Sequence, residues 1–429
     1  MIRRVQIQGY KSLRDVSIQL QPLMLIIGPN AAGKSNLFDA LGLLSRMATW
    51  DNFKEAFEPH RGVPLEAFSL PDGGLPELLA QQSARFTFQV DVELSEAAIA
   101  AAEQQIAQLR EGLSDPTPRH KRWITERFLR YRLTAEMMIT SGVLRVVDER
   151  LEALNRDLTQ SRRRLPFIQK VGNRIHLRME GQAHPSYFEI GLDHSVVSRS
   201  LYPPHYPHIT AFREELSRWR FYYLEPGLMR EEQPLERVDA LATDGSNLAG
   251  FYNSLKSLSG GKQFQASVRV LRQLVPYLRD MDVTTSPDGF LRLEVQENGA
   301  RFSTRVISEG TLRILGLNAI LTSPSVATVV GYEEPENGVH PRRLALIAEM
   351  LKNTARPGQL QVLINSHSPF LPAHFPPENI LVCRRDGKET QFSPFASFGP
   401  LFTDREIAAA LDELETPVHE RIVRGDYGG

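Results

Sequence analysis

The sequence predicts an α/β fold in which a central parallel sheet is flanked by helices and is preceded by an antiparallel β lobe. Three observations lead to this prediction. An apolar run at residues 23–27 passes through a glycine-rich turn into a helical pattern, which is the order strand, loop, helix. Two later apolar runs, at residues 326–332 and 361–365, suit buried parallel strands. Alternating apolar and polar residues at the N-terminus predict antiparallel strands.

The composition is that of a globular protein. The chain has 429 residues, of which 41% are hydrophobic and 24% are charged, and its length suggests two or three domains. A net charge of −1 gives no overall attraction to nucleic acid or to an anionic membrane. The single cysteine, Cys383, excludes an internal disulfide. No apolar run approaches the length of a membrane span and no signal-peptide pattern is present, so we expect a cytoplasmic protein.

Residues 1–94 are expected to form the first lobe. Residues 4–7 and 16–20 alternate around a turn-like segment, which predicts a hairpin leading into the first apolar strand. Residues 85–92 alternate in the same way and predict a further strand.

The turn after the first apolar strand has the spacing Gly-x-x-x-x-Gly-Lys-Ser over residues 28–35. This spacing is typical of a phosphate-binding loop, in which backbone N–H groups surround the β-phosphate and glycine permits close approach. Lys34 would reach the β- and γ-phosphates, and the Ser35 hydroxyl would bind Mg²⁺. The following helix would direct its positive end at the anion. The predicted nucleotide contacts are Asn30, Ala31, Ala32, Gly33, Lys34, Ser35 and Asn36.

Residues 95–193 are expected to form a charged helical and β insertion. Apolar positions from Ile99 to Leu113 recur with helical spacing. Residues 119–164 concentrate positive charge among aromatic side chains, which suits a nucleic-acid surface. Acidic neighbours dilute this charge, so we favour a solvated face and keep nucleic-acid contact as the alternative. The histidines near residues 202–208 lack the spacing of a metal site and predict a packed loop.

Residues 194–429 are expected to form the second lobe, in which the apolar run at residues 326–332 ends in Glu333 and Glu334. One carboxylate at such a strand end can hold Mg²⁺ while its neighbour polarises an attacking water. We assign the metal role to Glu333 and the base role to Glu334. The last apolar strand presents His367, which can contact the γ-phosphate.

Two segments resemble the signature with which ATP-binding-cassette ATPases bind a partner's nucleotide. Residues 258–263 almost spell Leu-Ser-Gly-Gly-Gln, but they lie too far before Glu333 and between two helical patterns, so we interpret them as an interhelical turn. Residues 307–313 follow a predicted hairpin and open an apolar helix. Their distance to the strand that ends in Glu333 is the one expected of the signature. Ser308 and Gly310 are therefore the candidate signature residues.

The motifs at residues 28–35, 307–313, 333–341 and 366–369 occur in the order and spacing of the RecF/SMC/OLD-like branch of the ATP-binding-cassette ATPases. The chain resembles this branch over most of its length. The resemblance implies a P-loop ATPase head with ATP and Mg²⁺ as cofactors. It also implies an ATP-gated dimer in which the signature of one subunit completes the site of the other.

Two positions depart from the pattern of this branch. Glu333 replaces the commoner aspartate, which lengthens the metal ligand by one methylene. No glutamine is a convincing counterpart of the Q-loop residue, and Gln89 is a weak candidate.

The resemblance favours an ATPase that controls a separate effector, such as a TOPRIM-like nuclease, in antiphage defence or DNA repair. The segment after His367 does not offer the acidic residues that such a nuclease needs. A RecF-like ATPase acting directly on DNA ends or gaps and a nucleotide-bound scaffold with little turnover remain open alternatives. A GTPase is disfavoured because an Asn-Lys-x-Asp motif is absent, and a transporter subunit because Leu-Ser-Gly-Gly is misplaced.

Overall fold

The structure is a computed structural model that describes residues 1–110, 122–180, 186–322, 327–355 and 358–395. The strands in this part of the chain are β1 Ile2–Tyr10, β2 Leu13–Gln19, β3 Leu23–Ile27, β4 Ser83–Glu93, β5 Phe128–Met138, β6 Val143–Ala153, β7 Ile168–Val171, β8 Arg174–Leu177, β9 Ser186–Glu189, β10 Trp219–Tyr222, β11 Gln233–Pro234, β12 Leu278–Thr285, β13 Phe290–Glu297, β14 Ala300–Ser303, β15 Val329–Glu333, β16 Gln361–Ser366, β17 Ile380–Asp386 and β18 Glu389–Pro394. The α-helices are α1 Lys34–Met47, α2 Phe53–Phe57, α3 Leu75–Leu79, α4 Glu96–Arg110, α5 Pro207–Leu216, α6 Pro226–Met229, α7 Leu248–Ser257, α8 Lys262–Leu274, α9 Glu309–Thr322 and α10 Leu344–Thr354.

The central sheet has the strand order β10-β15-β16-β3-β17-β18, in which only the last pair is antiparallel. Its inner strands are buried on both faces. In β3, Met24 and Ile26 pack into one hydrophobic core, while Leu25 and Ile27 pack into the other. Successive strand residues point to opposite faces, so a strand between two cores needs a continuous apolar run. The predicted α/β architecture is confirmed.

The order of strands in this sheet differs from their order along the chain. Strand β3, from the N-terminal part, lies between β16 and β17, and β15 lies on the far side of β16. Because β3, β15 and β16 are parallel neighbours, their carboxyl ends meet at one edge. The phosphate loop, the two adjacent glutamates and His367 therefore come together, although more than three hundred residues separate the first from the last.

The antiparallel lobe is a sheet in the order β2-β1-β4-β5-β6-β7-β8-β9. Strand β4 pairs with β5 along its whole length, from Ser83 opposite Met138 to Glu93 opposite Phe128. The expected division between residues 1–94 and 95–193 therefore does not separate two folding units in the described residues. Strands β5–β9 extend the first lobe because their alternating apolar residues share its core.

Helix α4, the predicted helix at the start of the insertion, is docked on the lobe. Its buried side chains, Ala98, Ala102 and Ile106, face the protein, and α4 packs against α5. Gln105 also hydrogen-bonds Glu214 of α5 at 2.8 Å. In the second lobe, residues 258–261 form a short 3₁₀ turn between α7 and α8, as the sequence predicts, and the hairpin β13–β14 precedes α9.

Candidate functional site

The phosphate loop joins β3 to α1. Gly33 has a φ of +104°, a conformation that favours glycine. A Cβ at Gly33 would overlap Thr390 Oγ1, and a Cβ at Gly28 would overlap the carbonyl oxygen of Cys383. Strands β17 and β18 thus approach the loop so closely that only glycine fits at both positions. The exposed backbone forms a concave surface of the kind that binds phosphate.

The tip of the loop is formed by residues that the sequence predicts to contact nucleotide. Asn30 and Ala31 are exposed, and Ala31 has a left-handed φ of +63°. Ala32 is buried, so its side chain anchors the loop to the protein interior.

Lys34 is buried within its own loop. Its ammonium group donates hydrogen bonds to the carbonyl oxygens of Gly28 at 2.7 Å and Pro29 at 2.9 Å. Burial lowers the pKa of Lys34, while nearby acidic groups act in the opposite direction. An anionic ligand can replace these two neutral acceptors and form stronger, charge-assisted hydrogen bonds with the ammonium.

A series of polar contacts holds the phosphate loop against the β1–β2 turn and β18. Ser12 Oγ lies 2.6 Å from Thr390 Oγ1, which donates to the Ala32 carbonyl at 2.8 Å. The Asn36 amide donates to Ser12 Oγ at 2.7 Å. Asn36 therefore holds the start of α1 in place in this structure, and its contact with nucleotide stays a prediction.

Ser35 and Glu333 meet across the sheet edge. Ser35 Oγ donates to Glu333 Oε2 at 2.8 Å, and Arg61 Nη2 lies 3.1 Å from Glu333 Oε1. Burial raises the pKa of Glu333, and Arg61 and Ser35 oppose that increase. A hydroxyl and a carboxylate are the oxygen ligands that Mg²⁺ prefers beside phosphate, so the side chains present fit this ion.

Three further charged side chains, Arg61, Asp39 and Lys11, lie around the Ser35–Glu333 pair. The sequence did not identify them. Arg61 Nε lies 3.7 Å from Asp39 Oδ1, and Asp39 also pairs with Lys11 at 2.8 Å. The guanidinium group stacks on Tyr223, 4.6 Å from the ring centre. Asp39 lies one helical turn after Ser35, a spacing that could have indicated its position. No local motif marks Arg61.

Glu334 and His367 are adjacent, as their proposed roles require. His367 Nδ1 lies 3.2 Å from Glu334 Oε1, and Asn337 donates to the other carboxylate oxygen. The Glu334 backbone N–H donates to the Asn365 carbonyl at 3.0 Å. Glu334 has a φ of +50°, which is uncommon for a residue with a side chain and typical of functional sites.

Glu336 organises the loop that carries His367 and was not assigned a role from the sequence. Its Oε1 accepts hydrogen bonds from Ser366 Oγ at 2.5 Å, from His367 N at 3.1 Å and from Ser368 N at 3.2 Å. One buried carboxylate oxygen thus orients the backbone around the histidine.

The two candidate signature residues differ in exposure. Ser308 is exposed and caps α9, because its Oγ accepts a hydrogen bond from Thr311 N at 3.2 Å. Gly310 is buried against the Gly338 carbonyl, where a Cβ would overlap. Among the described residues, no hydrogen bond or ion pair joins this segment to residues 28–36 of the same chain. The expected nucleotide contacts of Ser308 and Gly310 stay predictions that require a second subunit.

Most arginines of the charged segment are neutralised where the structure describes them, while residues 119–121 lie outside the described residues. The pairs are Arg127 with Glu96, Arg130 with Asp91, Arg132 with Asp148, Arg145 with Glu136, Arg150 with Glu152, and Arg164 with Glu180. Paired charges attract phosphate weakly, so these contacts favour the solvated-face interpretation.

Two weaker interpretations have clear outcomes. Gln89 hydrogen-bonds Gln6 within the antiparallel sheet, so the structure gives it no contact with the phosphate loop. His208 is fully buried: its Nδ1 lies 2.8 Å from Glu180, and its Nε2 accepts a hydrogen bond from the Thr125 N–H at 3.1 Å. This histidine is packed and not part of a metal site in the described residues, but it lies in the first turn of α5 rather than in the loop that the sequence predicts.

The fold and the site together define a P-loop domain of the AAA ATPase class. The chain belongs to the family described as "AAA domain, putative AbiEii toxin, Type IV TA system", which matches residues 143–373. Residues 1–116 match a family described as "AAA ATPase domain". These family assignments imply nucleotide binding.

Solved structures with a similar fold include two heads of SMC proteins. An Smc head bound to the C-terminal winged-helix domain of ScpA has a TM-score of 0.51 at 12% identity, over 91% of this chain and 96% of that chain. An Smc head with an extended coiled coil, bound to the C-terminal domain of ScpA derived from Pyrococcus furiosus, has a TM-score of 0.51 at 11% identity, over 97% of this chain and 99% of that chain.

A short similarity links the chain to a protein named OLD nuclease from Thermus scotoductus. The two are 39% identical over 44 residues, which are 10% of this chain and 8% of that protein. The chain therefore matches only a small fraction of this relative's length.

No helix among the described residues is both long and apolar enough to cross a membrane.

Proposed function

We propose that this protein binds ATP with Mg²⁺ and hydrolyses it, and that the cycle controls a separate effector protein in antiphage defence or DNA repair. The observation that carries the proposal is the meeting of four side chains at one sheet edge. Ser35 lies 2.8 Å from Glu333, and Glu334 lies 3.2 Å from His367. A phosphate-binding loop beside a hydroxyl–carboxylate pair and a base suits phosphoryl transfer to water.

In this proposal each side chain acts through its position. Lys34 binds β- and γ-phosphate oxygens in place of its two carbonyl partners. Ser35 and Glu333 hold Mg²⁺, which when bound neutralises phosphate charge. Glu334 accepts a proton from the attacking water, and His367 contacts the γ-phosphate.

We propose further that two subunits share composite sites. Ser308 is exposed at the start of α9, and the positive end of that helix is free to face the nucleotide of another subunit. Gly310 supports this geometry because its close contact with the Gly338 backbone ties the helix start to the turn after Glu334.

Control of a separate effector is better supported than direct action on DNA. The described arginines of the charged segment are largely paired with carboxylates. The 44-residue similarity to OLD nuclease supports a nuclease, for example one of TOPRIM type, as the effector class. Direct action on DNA ends or gaps remains the alternative, since Arg162 and Arg163 form no ion pair with a described residue.

Glu334→Gln tests the catalytic assignment. The variant should bind ATP as the wild type does and should release phosphate roughly 10²- to 10⁴-fold more slowly, because an amide cannot accept the proton. Lys34→Ala should instead lose ATP binding. Phosphate release and equilibrium binding of a fluorescent ATP analogue are the measurements.

Glu349→Gln is the matched control, since this exposed glutamate on α10 forms an ion pair with Lys352 of the same helix, away from the site. Unchanged turnover in Glu334→Gln would refute the base assignment. Absence of phosphate release from the wild type, with ATP bound, would support the scaffold alternative.

A further inference from the structure

Several buried polar atoms near α9 and the catalytic edge have no hydrogen-bond partner among the described residues. Three of them, on adjoining elements, are Arg313 Nη1, Tyr332 Oη and Glu336 Oε2. Arg313 lies in the first turns of α9, Tyr332 in β15, and Glu336 in the turn that follows. Buried polar groups are nearly always satisfied, so three such atoms on adjoining elements require an explanation.

The three side chains share one neighbourhood. Tyr332 lies on the face of β15 that packs into the core containing α9. The start of α9 contacts the turn that carries Glu336, because a Cβ at Gly310 would overlap the Gly338 carbonyl oxygen, and Arg313 lies about one turn further along the helix. No ion pair joins Arg313 to Glu336 in this part of the chain, so the two charged groups do not pair directly.

The chemical types of these atoms are complementary. The guanidinium N–H is a donor, the carboxylate oxygen is an acceptor, and the phenol hydroxyl is both. A buried water usually makes about three hydrogen bonds to groups of this kind. A buried water within reach of all three atoms would satisfy them.

The other oxygen of Glu336 already holds the histidine loop. Glu336 Oε1 accepts hydrogen bonds from His367 N and Ser368 N, at 3.1 Å and 3.2 Å. The orientation of this carboxylate therefore decides where the loop lies. Any group that fixes Oε2 also fixes the backbone of His367.

We propose that Arg313 and Tyr332 are positioning residues that hold Glu336 through a buried water and thereby keep His367 beside Glu334. The relay links the start of α9, where Ser308 is exposed, to the histidine of the same chain. Its role in turnover rests on the proposed ATPase function, whereas its effect on the histidine loop does not. A partner's nucleotide that shifts the first turn of α9 would move Arg313 and alter the position of His367.

Hydrogen exchange in the nucleotide-free protein tests the structural part of the proposal. Tyr332→Phe removes only the hydroxyl, and Arg313→Gln removes the charged donor. Both variants should speed amide exchange at His367 and Ser368 about fivefold, the effect of one lost hydrogen bond. Arg313→Lys should restore much of the protection because it keeps the cation.

Tyr252→Phe is the matched control. Tyr252 is equally buried, and its hydroxyl also contacts α9, donating to the Leu315 carbonyl at 2.8 Å away from the relay. This variant should lower stability without changing exchange at residues 366–368. Equal exchange at these amides in the wild type, Tyr332→Phe and Arg313→Gln would overturn the proposal.

Turnover provides the second readout. Tyr332→Phe and Arg313→Gln should lower kcat about fivefold with little change in KM, and the double variant should resemble either single one because both act through Glu336. Faster exchange with unchanged kcat would overturn the positioning role. If the wild type releases no phosphate, the ATPase proposal fails, while the exchange measurement still decides whether the relay exists.

Discussion

At the scale of single residues, Glu333 contacts both a candidate metal ligand and a cationic side chain. Its carboxylate accepts a hydrogen bond from the Ser35 hydroxyl and pairs with the Arg61 guanidinium. The carboxylate is almost fully buried, whereas Arg61 is 44% exposed and also contacts Asp39. A cation placed between Ser35 and Glu333 would therefore be repelled by a cation that the protein itself supplies.

We predict that Arg61→Gln strengthens the response to Mg²⁺. Without Mg²⁺ the variant should lose about 1 kcal/mol of unfolding free energy, because Glu333 stays buried without its partner. Millimolar Mg²⁺ should restore stability to the variant and affect the nucleotide-free wild type less. Urea unfolding with Mg²⁺ and with EDTA is the measurement.

The exposed residue Arg162, which forms no ion pair with a described residue, provides the control for that experiment. Arg162→Gln should respond to Mg²⁺ as the wild type does. An identical Mg²⁺ response in Arg61→Gln and the wild type would show that Arg61 does not compete with the ion.

At the scale of elements, a buried carboxylate joins β6 to the segment before α5. Glu149 is fully buried, with Oε2 accepting from Val196 N at 2.7 Å and Oε1 accepting from the Tyr131 hydroxyl at 2.8 Å. Burial raises the pKa of Glu149 from 4.5 to about 7, although these donors act in the opposite direction. This contact fixes the connection between the extended sheet and the second lobe.

Because of Glu149, we predict that stability falls as pH rises from about 4.5 to about 7 and changes little above that range. Between these values the unfolded chain has released the proton that the folded chain still holds. The full effect is about 3 kcal/mol by this linkage. Urea unfolding of the wild type and Glu149→Gln between pH 5 and pH 8 measures it.

Glu149→Gln has no proton to release at this position. Its unfolding free energy should therefore change less over this pH range than that of the wild type, by about 3 kcal/mol. Parallel stability curves for the two proteins would contradict the assignment to Glu149.

At the scale of the whole molecule, the proposed composite sites require two subunits rather than one. Among the described residues, the candidate signature at residues 307–313 makes no hydrogen bond with the phosphate loop of the same chain. A substitution of Gly310 is a poor test of sharing, because any side chain there would overlap the Gly338 backbone of the same chain. Ser308 is a better position because it is exposed.

We predict that Ser308→Asp abolishes turnover while Ser308→Asn largely retains it. Both residues can cap α9, so helix stability is matched, but only aspartate places a negative charge opposite a partner's γ-phosphate. Mixing Ser308→Asp with Lys34→Ala subunits should recover part of the activity, since one composite site in the hybrid dimer is intact. The measurement is phosphate release across mixing ratios.

No recovery at any ratio would argue against shared sites. Equal loss of turnover in Ser308→Asp and Ser308→Asn would indicate that the hydroxyl, rather than charge at this position, is required.

The amino-acid sequence by itself determined the parts of this protein that are contiguous. The phosphate loop, the strand ending in Glu333 and Glu334, the strand before His367 and the turn at residues 258–261 were predicted because each is specified within about ten residues. Local patterns of apolar residues and glycine reflect backbone geometry directly. The α/β class followed from the same patterns.

Only the tertiary structure decided which distant residues complete the site and where the lobes divide. Arg61 reaches Glu333 from the segment after α2, and Thr390 reaches the phosphate loop from β18, and no local spacing encodes either contact. Likewise, β5 continues the sheet of β4 across the boundary expected at residue 94 because hydrogen-bonding partners are chosen by the folded chain. Such contacts join residues far apart in sequence, and their energy depends on the packing of whole sheets.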